Sequence, residues 1–250
     1  MKRTLKRILG SLGYEIVRRG DGRGELSGLM DLTESQRKII STAMPFTMTS
    51  AERMAALINA VTYISENSIP GDIAECGVWR GGSMMVIALT LLSLGDRDRS
   101  LHLYDTFEGM SEPTAADKSV FGISAAEQLR TDPHGTGAWC YASYDDVRTN
   151  VLSTGYPEQR VHLIKGKVEQ TIPRTMPSSL ALLRLDTDWY ESTRHELIHL
   201  YPLLQPKGIL IIDDYGHWQG AKQAVDEYFR QRDEHIFLHR IDYTGRLHVK

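Results

Sequence analysis

Carboxylate side chains follow two apolar stretches in the second half of the chain. Asp186 comes directly after residues 180–185, and the adjacent Asp213 and Asp214 follow the apolar stretch that begins at residue 209. If these stretches are neighbouring strands, the three carboxylates converge at one edge of a sheet and repel one another unless they are protonated or share a cation. Oxygen ligands without clustered cysteine or histidine suit Mg²⁺, or else Ca²⁺ or Mn²⁺. The alternative is that each acid caps the following helix, as we expect of Asp188.

A glycine-rich segment in the first half offers a second kind of site. Residues 72–83 read Asp-Ile-Ala-Glu-Cys-Gly-Val-Trp-Arg-Gly-Gly-Ser, which predicts a short buried strand, a tight turn and the start of a helix. Ligands of doubly wound sheets bind beyond the carboxyl ends of the strands, and Gly77 lets the backbone approach a ligand closely. The segment lacks the glycine spacing of a dinucleotide site, and Glu75 favours an amine-bearing ligand over a phosphate. A nucleoside-type cofactor is favoured, and the alternative is a tight turn that binds nothing.

An acidic residue at the end of the next predicted strand supports the cofactor. Asp105 closes residues 101–105, one strand–helix–strand step after the glycine-rich turn. Acids at this position of doubly wound folds bind the ribose hydroxyls of a nucleoside cofactor. Together the two features indicate such a cofactor more strongly than either does alone.

Alternating strands and helices must position these residues. The predicted strands cover residues 72–75, 101–105, 161–165, 180–185 and 209–213, and the helices cover about 33–43, 50–65, 82–94, 145–152, 190–203 and 218–230. Residues 235–240 and 246–249 form a predicted hairpin. This pattern predicts an α/β fold with a doubly wound, mostly parallel sheet, covered by helices and closed by an antiparallel edge. Thr49 and Glu52 have the spacing of a capping box, and residues 107–142 form an irregular insertion typical of a lid.

Composition restricts the class of protein. The 250 residues are 41% apolar, enough for one sizeable core, and the formal net charge of −3 gives no attraction to nucleic acid or to anionic membranes. The two cysteines, Cys76 and Cys140, exclude a disulfide framework and favour a cytoplasmic location. No apolar run is long enough for a membrane-spanning helix, and charged residues interrupt the N-terminal segment, which argues against a secretory signal.

We expect residues 1–45 to form a helical extension and residues 46–250 the main domain. Apolar residues recur at helical spacing among basic ones at Leu5, Ile8, Leu9, Leu12 and Ile16. This helix is expected to pack on the body or on a partner subunit of a homo-oligomer. Docking on an anionic membrane surface is the less favoured alternative. Four glycines within residues 20–28 indicate a flexible joint.

Five strings of residues, in this order, resemble the macrocin O-methyltransferase family, and the resemblance covers residues 46–240. They are Gly71-Asp72 with Glu75-Cys76-Gly77-Val78-Trp79-Arg80-Gly81-Gly82, then Arg184-Leu185-Asp186, Leu200-Tyr201-Pro202, Ile211-Ile212-Asp213-Asp214-Tyr215 and Gln223-Ala224-Val225-Asp226. Met48-Thr49-Ser50 also resembles the stretch with which the family covers its cofactor. The resemblance implies a class I fold that binds S-adenosylmethionine and Mg²⁺ and methylates sugar hydroxyls in natural-product biosynthesis.

The resemblance also implies roles for individual residues. Glu75 and Gly77 would lie against the methionine part of the cofactor, and Asp105 against its ribose. Gly166 and Ser143 would border its adenine. The predicted cofactor site comprises Met48, Thr49, Glu75, Gly77, Arg80, Gly81, Ser83, Asp105, Ser143 and Gly166.

Asp186, Asp213 and Asp214 match the family's metal-binding acids, and Asp186 also matches its general base. The resemblance therefore implies a Mg²⁺-dependent O-methyltransferase that acts on a hydroxyl of a sugar or glycosylated small molecule. A catechol- or phenol-type O-methyltransferase and a non-catalytic cofactor-binding module stay open as alternatives. Replacing Asp213 by asparagine is expected to abolish metal-dependent turnover and to spare cofactor binding. The alternative bases are His134, His195 and His217.

Overall fold

One mixed sheet forms the centre of the fold. The computed structural model describes residues 29–132 and 139–250. The strands in these residues are β1 (Asp72–Cys76), β2 (Leu101–Asp105), β3 (Val161–Lys165), β4 (Leu180–Leu185), β5 (Leu204–Ile212), β6 (His239–Arg240) and β7 (Arg246–Val249). Their order across the sheet is β3-β2-β1-β4-β5-β7-β6, with the first five parallel and β7 antiparallel to both of its neighbours. The predicted α/β fold with an antiparallel C-terminal edge is confirmed.

Helices flank this sheet. They are α1 (Glu34–Ala43), α2 (Ala51–Glu66), α3 (Gly82–Ser93), α4 (Ala125–Thr131), α5 (Tyr144–Leu152), α6 (Val168–Thr171), α7 (Tyr190–His199) and α8 (Gln219–Gln231). Side chains of α7 and α8 pack with Ala74, Cys76 and Leu185 in one buried cluster, whereas α1, α2 and α3 pack against one another. All six residues of β4 are buried, as expected of a central strand covered on both faces.

The register of the sheet brings the ends of four strands to one level. Cys76 pairs with Tyr104 on one side and with Leu185 on the other, and Leu185 pairs with Ile212. Ligand-binding residues of parallel sheets lie at this carboxyl edge. The residues that end or follow the four strands there are Gly77, Asp105, Asp186 and Asp213.

The start of α2 differs from the prediction. Ser50 is the N-cap, because its backbone is extended and its Oγ accepts a hydrogen bond from the Arg53 amide at 3.1 Å. The predicted capping box of Thr49 and Glu52 is therefore wrong. The Thr49 hydroxyl is buried and has no hydrogen-bond partner among the described residues.

The start of α7 also differs, because its cap comes from a distant segment. Trp189 occupies the N-cap position without a side-chain hydrogen bond, and Asp188 has a left-handed backbone with φ of +66°. The amide of Tyr190 donates instead to Oδ1 of the buried Asp117 at 2.8 Å. The prediction that Asp188 caps this helix is wrong, and its carboxyl group is left for other contacts.

The insertion at residues 107–142 contains regular structure. Oδ2 of Asp117 accepts hydrogen bonds from the amide and hydroxyl of Thr114 at 2.6 and 2.8 Å. The indole of Trp189 donates to the carbonyl of Ser111 at 3.0 Å and packs with Leu129 of α4. The described parts of the insertion are therefore anchored to the start of α7.

Three predicted element boundaries shift. The helix predicted over residues 190–203 ends at His199, and a 3₁₀ turn, Tyr201–Leu203, follows with Pro202 in its first turn. Proline has no amide hydrogen for an α-helical hydrogen bond, which explains the early end. Strand β5 begins at Leu204 rather than at residue 209, and the strand predicted over residues 235–240 is reduced to His239–Arg240.

The chain from Thr33 to Lys250 forms one compact unit, in which α1 packs against α3. Within the described part of the chain, none of the helices is long and apolar enough to cross a membrane. The helix predicted over residues 5–16, the glycine-rich joint and His134 lie outside the described residues.

Candidate active site

The three aspartates that follow β4 and β5 meet at the carboxyl edge of the sheet. One carboxylate oxygen from each of Asp186, Asp213 and Asp214 lies within 4.8 Å of the other two. Asp213 is buried, whereas Asp186 and Asp214 are partly exposed to a cavity that all three line. The adjacency of the two strands therefore produces the acidic edge that their sequences predict.

A buried arginine forms hydrogen bonds and ion pairs with this acidic cluster. The Arg184 side chain is 3% exposed, and its Nη1 donates to Oδ2 of Asp186 at 2.7 Å while its Nη2 donates to Oδ1 of Asp213 at 2.5 Å. Nη1 also pairs with the buried carboxylate of Glu75. A charged residue inside an otherwise apolar strand is a signal for such a role, because a buried arginine requires acidic partners.

A second arginine reaches the cluster from the cavity side. Nη1 of Arg53, in the first turn of α2, pairs with Oδ2 of Asp213. Its Nε donates to Oδ2 of Asp242 at 3.0 Å, and the same oxygen accepts the Ser50 hydroxyl at 2.6 Å. Sequence reasoning missed Arg53 and Asp242, because 160 or more positions separate Arg53 from each acid and no local pattern joins them.

Burial gives these carboxyl groups unusual acidities. It raises the pKa of Asp186 and of Asp214 well above their ordinary value; Arg184 opposes the shift at Asp186, and neighbouring acids add to both shifts. Burial likewise raises the pKa of Asp188 to about 7, and its carboxyl group is hydrogen-bonded to Asp214. Arg184 is bonded to Glu75, Asp186 and Asp213, and Arg53 is bonded to Asp213 and Asp242. A set of closely spaced carboxyl oxygens whose ionisation is disfavoured without a cation suits a hard divalent ion.

The acidic cluster forms one wall of a cavity of about 370 Å³. The sequence-predicted residues that line this cavity are Met48, Thr49, Gly77, Ser83, Asp105, Asp186, Asp213 and Asp214. A smaller adjoining cavity shares Gly77, Asp105 and Asp186 and is also lined by Gly166. Most of the predicted cofactor residues and all three predicted metal ligands therefore border the same edge of the sheet.

Asp105 forms hydrogen bonds with the turns that border this cavity. Its Oδ2 accepts hydrogen bonds from the amides of Val78 and Trp79 at 2.8 and 3.2 Å, and its Oδ1 accepts one from Phe107 at 2.7 Å. Its carbonyl accepts the amide of Gly166 at 2.9 Å. Burial raises its pKa, and the amide donors oppose that shift. The Thr106 hydroxyl lies 3.4 Å from Oδ1 and also donates to the carbonyl of Gly109 at 2.6 Å. A carboxylate offers about four acceptor sites, so beside its three amide donors Asp105 retains at most one.

Thr49 is suited to a bound ligand. Its buried Oγ1 has no partner among the described residues, although Thr49 lines the cavity. Buried polar atoms without partners are uncommon in folded proteins, so a polar group of a ligand would satisfy this hydroxyl.

Gly77 has a packing role in addition to the predicted one. Its φ is +79°, and a Cβ at this position would overlap the carbonyl oxygen of Asp186. Glycine therefore brings the turn after β1 against the turn after β4. The space that a side chain would occupy is filled by protein backbone.

Four predicted cofactor residues make other contacts. Glu75 lies beneath the cavity, paired with Arg184, and Gly81 is the left-handed N-cap of α3. Ser143 caps α5, accepting the Asp146 amide at 3.2 Å. Arg80 donates to the Asp146 carboxylate at 2.9 Å. Arg80 and Ser143 thus fix α5, and neither is among the residues lining the two cavities described above.

The histidines considered as bases are placed differently from one another. His217 lines the cavity, where its Nδ1 lies 3.0 Å from the hydroxyl of Tyr243, and burial lowers its pKa. His195 is hydrogen-bonded through Nε2 to the carbonyl of Ile172 at 3.0 Å and does not line that cavity. Of the two described histidines, His217 is the one near the acidic cluster.

The strand order and the cavity at the carboxyl ends of β1 and β2 define a class I methyltransferase fold. A sequence model of the macrocin-O-methyltransferase (TylF) family matches residues 31–250. The chain belongs to this family and is therefore an enzyme, an O-methyltransferase that uses S-adenosylmethionine. The alternative of a non-catalytic cofactor-binding module is wrong.

Named relatives agree with this assignment. The demethyldecarbamoylnovobiocin O-methyltransferase of Streptomyces niveus is 32% identical over 199 residues, which cover 80% of this chain and 73% of the relative. The mycinamicin III 3''-O-methyltransferase of Micromonospora griseorubida is 32% identical over 195 residues, which cover 76% and 71%. The solved structure of the O-methyltransferase NovP matches with a TM-score of 0.72 at 30% identity, covering 82% of each chain.

Proposed function

We propose that this enzyme transfers the methyl group of S-adenosylmethionine to a hydroxyl of a sugar or glycosylated small molecule, with Mg²⁺ held by Asp186, Asp213 and Asp214. The observation that carries the metal assignment is the meeting of these three carboxylates on the wall of the cavity that Thr49 and Asp105 also line. The acceptor class is supported by the name of a relative from Streptomyces olivaceus, the 8-demethyl-8-(2,3-dimethoxy-alpha-L-rhamnosyl)-tetracenomycin-C 4'-O-methyltransferase, which contains a rhamnosyl group.

Hydrogen bonds position two of the three proposed metal ligands. Asp186 and Asp213 are each fixed by a hydrogen bond from Arg184, and the backbone amide of Asp213 donates to the carbonyl of Leu185 at 2.9 Å. Bound there, Mg²⁺ would orient neighbouring hydroxyls of the acceptor and lower the pKa of the reacting one. Asp214 completes the set from the residue after Asp213 and has no arginine hydrogen bond in the described structure.

Asp186 would accept the proton of the acceptor. Its Oδ2 is held by Arg184 at 2.7 Å, so the two lone pairs of Oδ1 would serve the metal and the hydroxyl. The acceptor oxygen bonds to the methyl carbon as the carbon–sulfur bond breaks, and the hydroxyl proton passes to Asp186. The products are a methyl ether and S-adenosylhomocysteine. A positioned base of this kind contributes roughly 10²–10⁴-fold to the rate.

The cofactor residues would orient the methyl donor. Asp105 is held by three backbone amides and would accept a ribose hydroxyl at its remaining acceptor site. The Thr49 hydroxyl would donate to a polar group of the cofactor, and Gly166 would border its adenine in the smaller cavity. Fixing both reactants in this way is worth about 7–11 kcal/mol in well-oriented systems.

Asp214→Asn is the variant that tests the metal assignment. Asp213→Asn would also remove the partner of two arginines, so its loss of activity would not separate metal binding from stability. For Asp214→Asn we expect metal-dependent methyl transfer to fall by at least about 10²-fold. In the absence of metal, the affinity for S-adenosylmethionine should change by less than about twofold, a difference smaller than one hydrogen bond.

The assays are transfer of a labelled methyl group to a panel of neutral glycosides with adjacent hydroxyls, and calorimetric titration of S-adenosylmethionine. The matched control is Asp98→Asn, whose carboxylate is 98% exposed and lies 4.0 Å from Nη2 of Arg160. The metal assignment is wrong if Asp214→Asn keeps metal-dependent turnover, or if it loses cofactor binding to the same degree as turnover.

A further inference from the structure

Arg53 lies between the acidic cluster and the segment that covers the cofactor cavity. Its side chain is 14% exposed, lines the cavity, and contacts two acids from different loops, Asp213 after β5 and Asp242 before β7. Asp242 also accepts the hydroxyl of Ser50, the N-cap of α2, which directly follows Met48 and Thr49. One guanidinium group therefore joins a proposed metal ligand to the start of the cofactor-lining segment.

Asp213 does not depend on Arg53 for its position. Its Oδ1 is held by Nη2 of Arg184 at 2.5 Å, and its backbone amide donates to Leu185 at 2.9 Å. Its carbonyl accepts the hydroxyl of Thr244 at 2.7 Å. Arg53 adds a positive charge on the cavity side, at the oxygen that Arg184 does not occupy. Its effect on Asp213 is thus electrostatic rather than geometric.

We propose that Arg53 is an internal cation that competes with the divalent metal for Asp213 and so lowers metal affinity. The proposal rests on the metal site proposed above. A guanidinium and a divalent ion on the same carboxylate repel each other twice as strongly as two unit charges at that separation. The metal therefore binds as the guanidinium of Arg53 withdraws from Asp213.

Asp242 is an alternative ion-pair partner for the guanidinium of Arg53. Nε of Arg53 already bonds Oδ2 of Asp242 at 3.0 Å, and Oδ1 of Asp242 is held by the amides of Thr244 and Gly245 at 3.0 and 2.8 Å. A guanidinium that pairs fully with Asp242 competes with the Ser50 hydroxyl for the same oxygen. Metal binding is thereby coupled to the Met48–Ser50 segment and to cofactor affinity.

The test is Mn²⁺ binding to the full-length protein after chelator treatment, followed by electron paramagnetic resonance, without and with S-adenosylmethionine. Arg53→Gln keeps amide donors and removes the charge, and we expect it to bind Mn²⁺ at least tenfold more tightly than wild type. Arg53→Lys, which retains the charge, should bind it as wild type does. The control, Arg232→Gln, removes an exposed arginine that pairs with Glu234 and should leave Mn²⁺ affinity unchanged.

A second measurement follows Arg53 itself in the unaltered protein. The Nε–H resonance of Arg53, assigned by its absence in Arg53→Lys, should shift on titration with Mg²⁺ in an NMR spectrum. Addition of Mg²⁺ should also change the affinity of wild type for S-adenosylmethionine, and this change should shrink toward none in Arg53→Gln.

The possible results distinguish failure of the role of Arg53 from failure of the metal site. Equal or weaker Mn²⁺ binding by Arg53→Gln, with normal binding by wild type and none by Asp214→Asn, overturns the role of Arg53 and leaves the metal site standing. An Arg53 resonance that does not move at saturating Mg²⁺ also overturns it. Failure of wild type and of Arg53→Gln to bind Mn²⁺ overturns the metal site and this inference together.

Discussion

Replacing Arg184 by methionine removes the guanidinium on which the acidic cluster is built. The side chain is 3% exposed and contacts Glu75, Asp186 and Asp213. Methionine is unbranched and fills irregular space, so the variant reports mainly the loss of charge and hydrogen bonds. Removing one partner of a buried ion pair costs about 3–5 kcal/mol, because the remaining charges stay buried without compensation. We expect the free energy of unfolding to fall by this amount.

The expected change in melting temperature follows from the size of the protein. For a chain of about 150–250 residues, the melting temperature changes by about 2–4 °C for each kcal/mol of unfolding free energy. The variant should therefore melt about 6–20 °C lower than wild type. The assay is urea denaturation and thermal melting at pH 8 with chelator present. The control is Arg148→Met, because Arg148 pairs with Glu158 on the surface and is 47% exposed, and such pairs contribute about 0–1 kcal/mol.

A double variant refines the test of this reasoning. Adding Glu75→Gln to Arg184→Met removes one of the carboxylates left without a partner and should restore part of the lost stability. A loss for Arg184→Met no larger than that for Arg148→Met would refute the view that the cluster depends on a buried cation. So would a double variant that is less stable than the single one.

Three further predictions concern the turns and the sheet. Gly77→Ala should lower the free energy of unfolding, measured by denaturation, by more than Gly155→Ala does. Both glycines have a left-handed backbone, but only at Gly77 does a backbone atom lie where the Cβ would be. Equal losses would contradict the packing argument. Thr49→Val should not lower the stability of the free protein, because the buried hydroxyl that it removes has no partner among the described residues. It should weaken S-adenosylmethionine binding by about 2–10-fold in calorimetry, the value of one hydrogen bond. Unchanged affinity would remove Thr49 from the site. Burial lowers the pKa of His102, so the folded state binds a proton at this residue less well than the unfolded state does. The free energy of unfolding should therefore fall as the pH drops below about 6.5. In denaturation experiments between pH 7 and 5, His102→Asn should show a shallower fall than wild type, and an equal slope would count against this assignment.

Much of the sheet is predictable because its strands are short apolar runs with clear ends. The strands at residues 101–105, 161–165 and 180–185 have the predicted bounds. The start of β5 was missed because Pro206 and the exposed Lys207 interrupt its apolar pattern. Proline cannot donate to a sheet ladder, and here it lies where the register between β4 and β5 is irregular.

The capping residues show why local patterns are insufficient. Thr49 and Ser50 are adjacent and both cap helices well, so the sequence alone could not decide between them. The cap of α7 comes from Asp117, 73 positions from Tyr190, while the nearby Asp188 contacts Asp214. Such contacts depend on the folded insertion, and no spacing rule predicts them.

The acidic edge was predictable for a reason that does not extend to its arginines. Strands that end in carboxylates converge whenever they are neighbours, so Asp186 and Asp213 could be paired from the order of the elements. Arg184 carries a visible signal, a charge in a buried strand. Arg53 lies in the first turn of an ordinary helix, and its contact with Asp213 arises only from packing of that helix over the sheet edge.

The measurement that tests the central claim most directly is methyl transfer from labelled S-adenosylmethionine to neutral glycosides by chelator-treated protein, with and without added Mg²⁺. We predict transfer that requires Mg²⁺ and yields one equivalent of S-adenosylhomocysteine per methyl ether formed. Cofactor binding without metal, measured by calorimetry on the same sample, should accompany it. Turnover that is equal with and without Mg²⁺ would contradict the metal-assisted mechanism, and the absence of S-adenosylmethionine binding under either condition would contradict the assignment of the cavity.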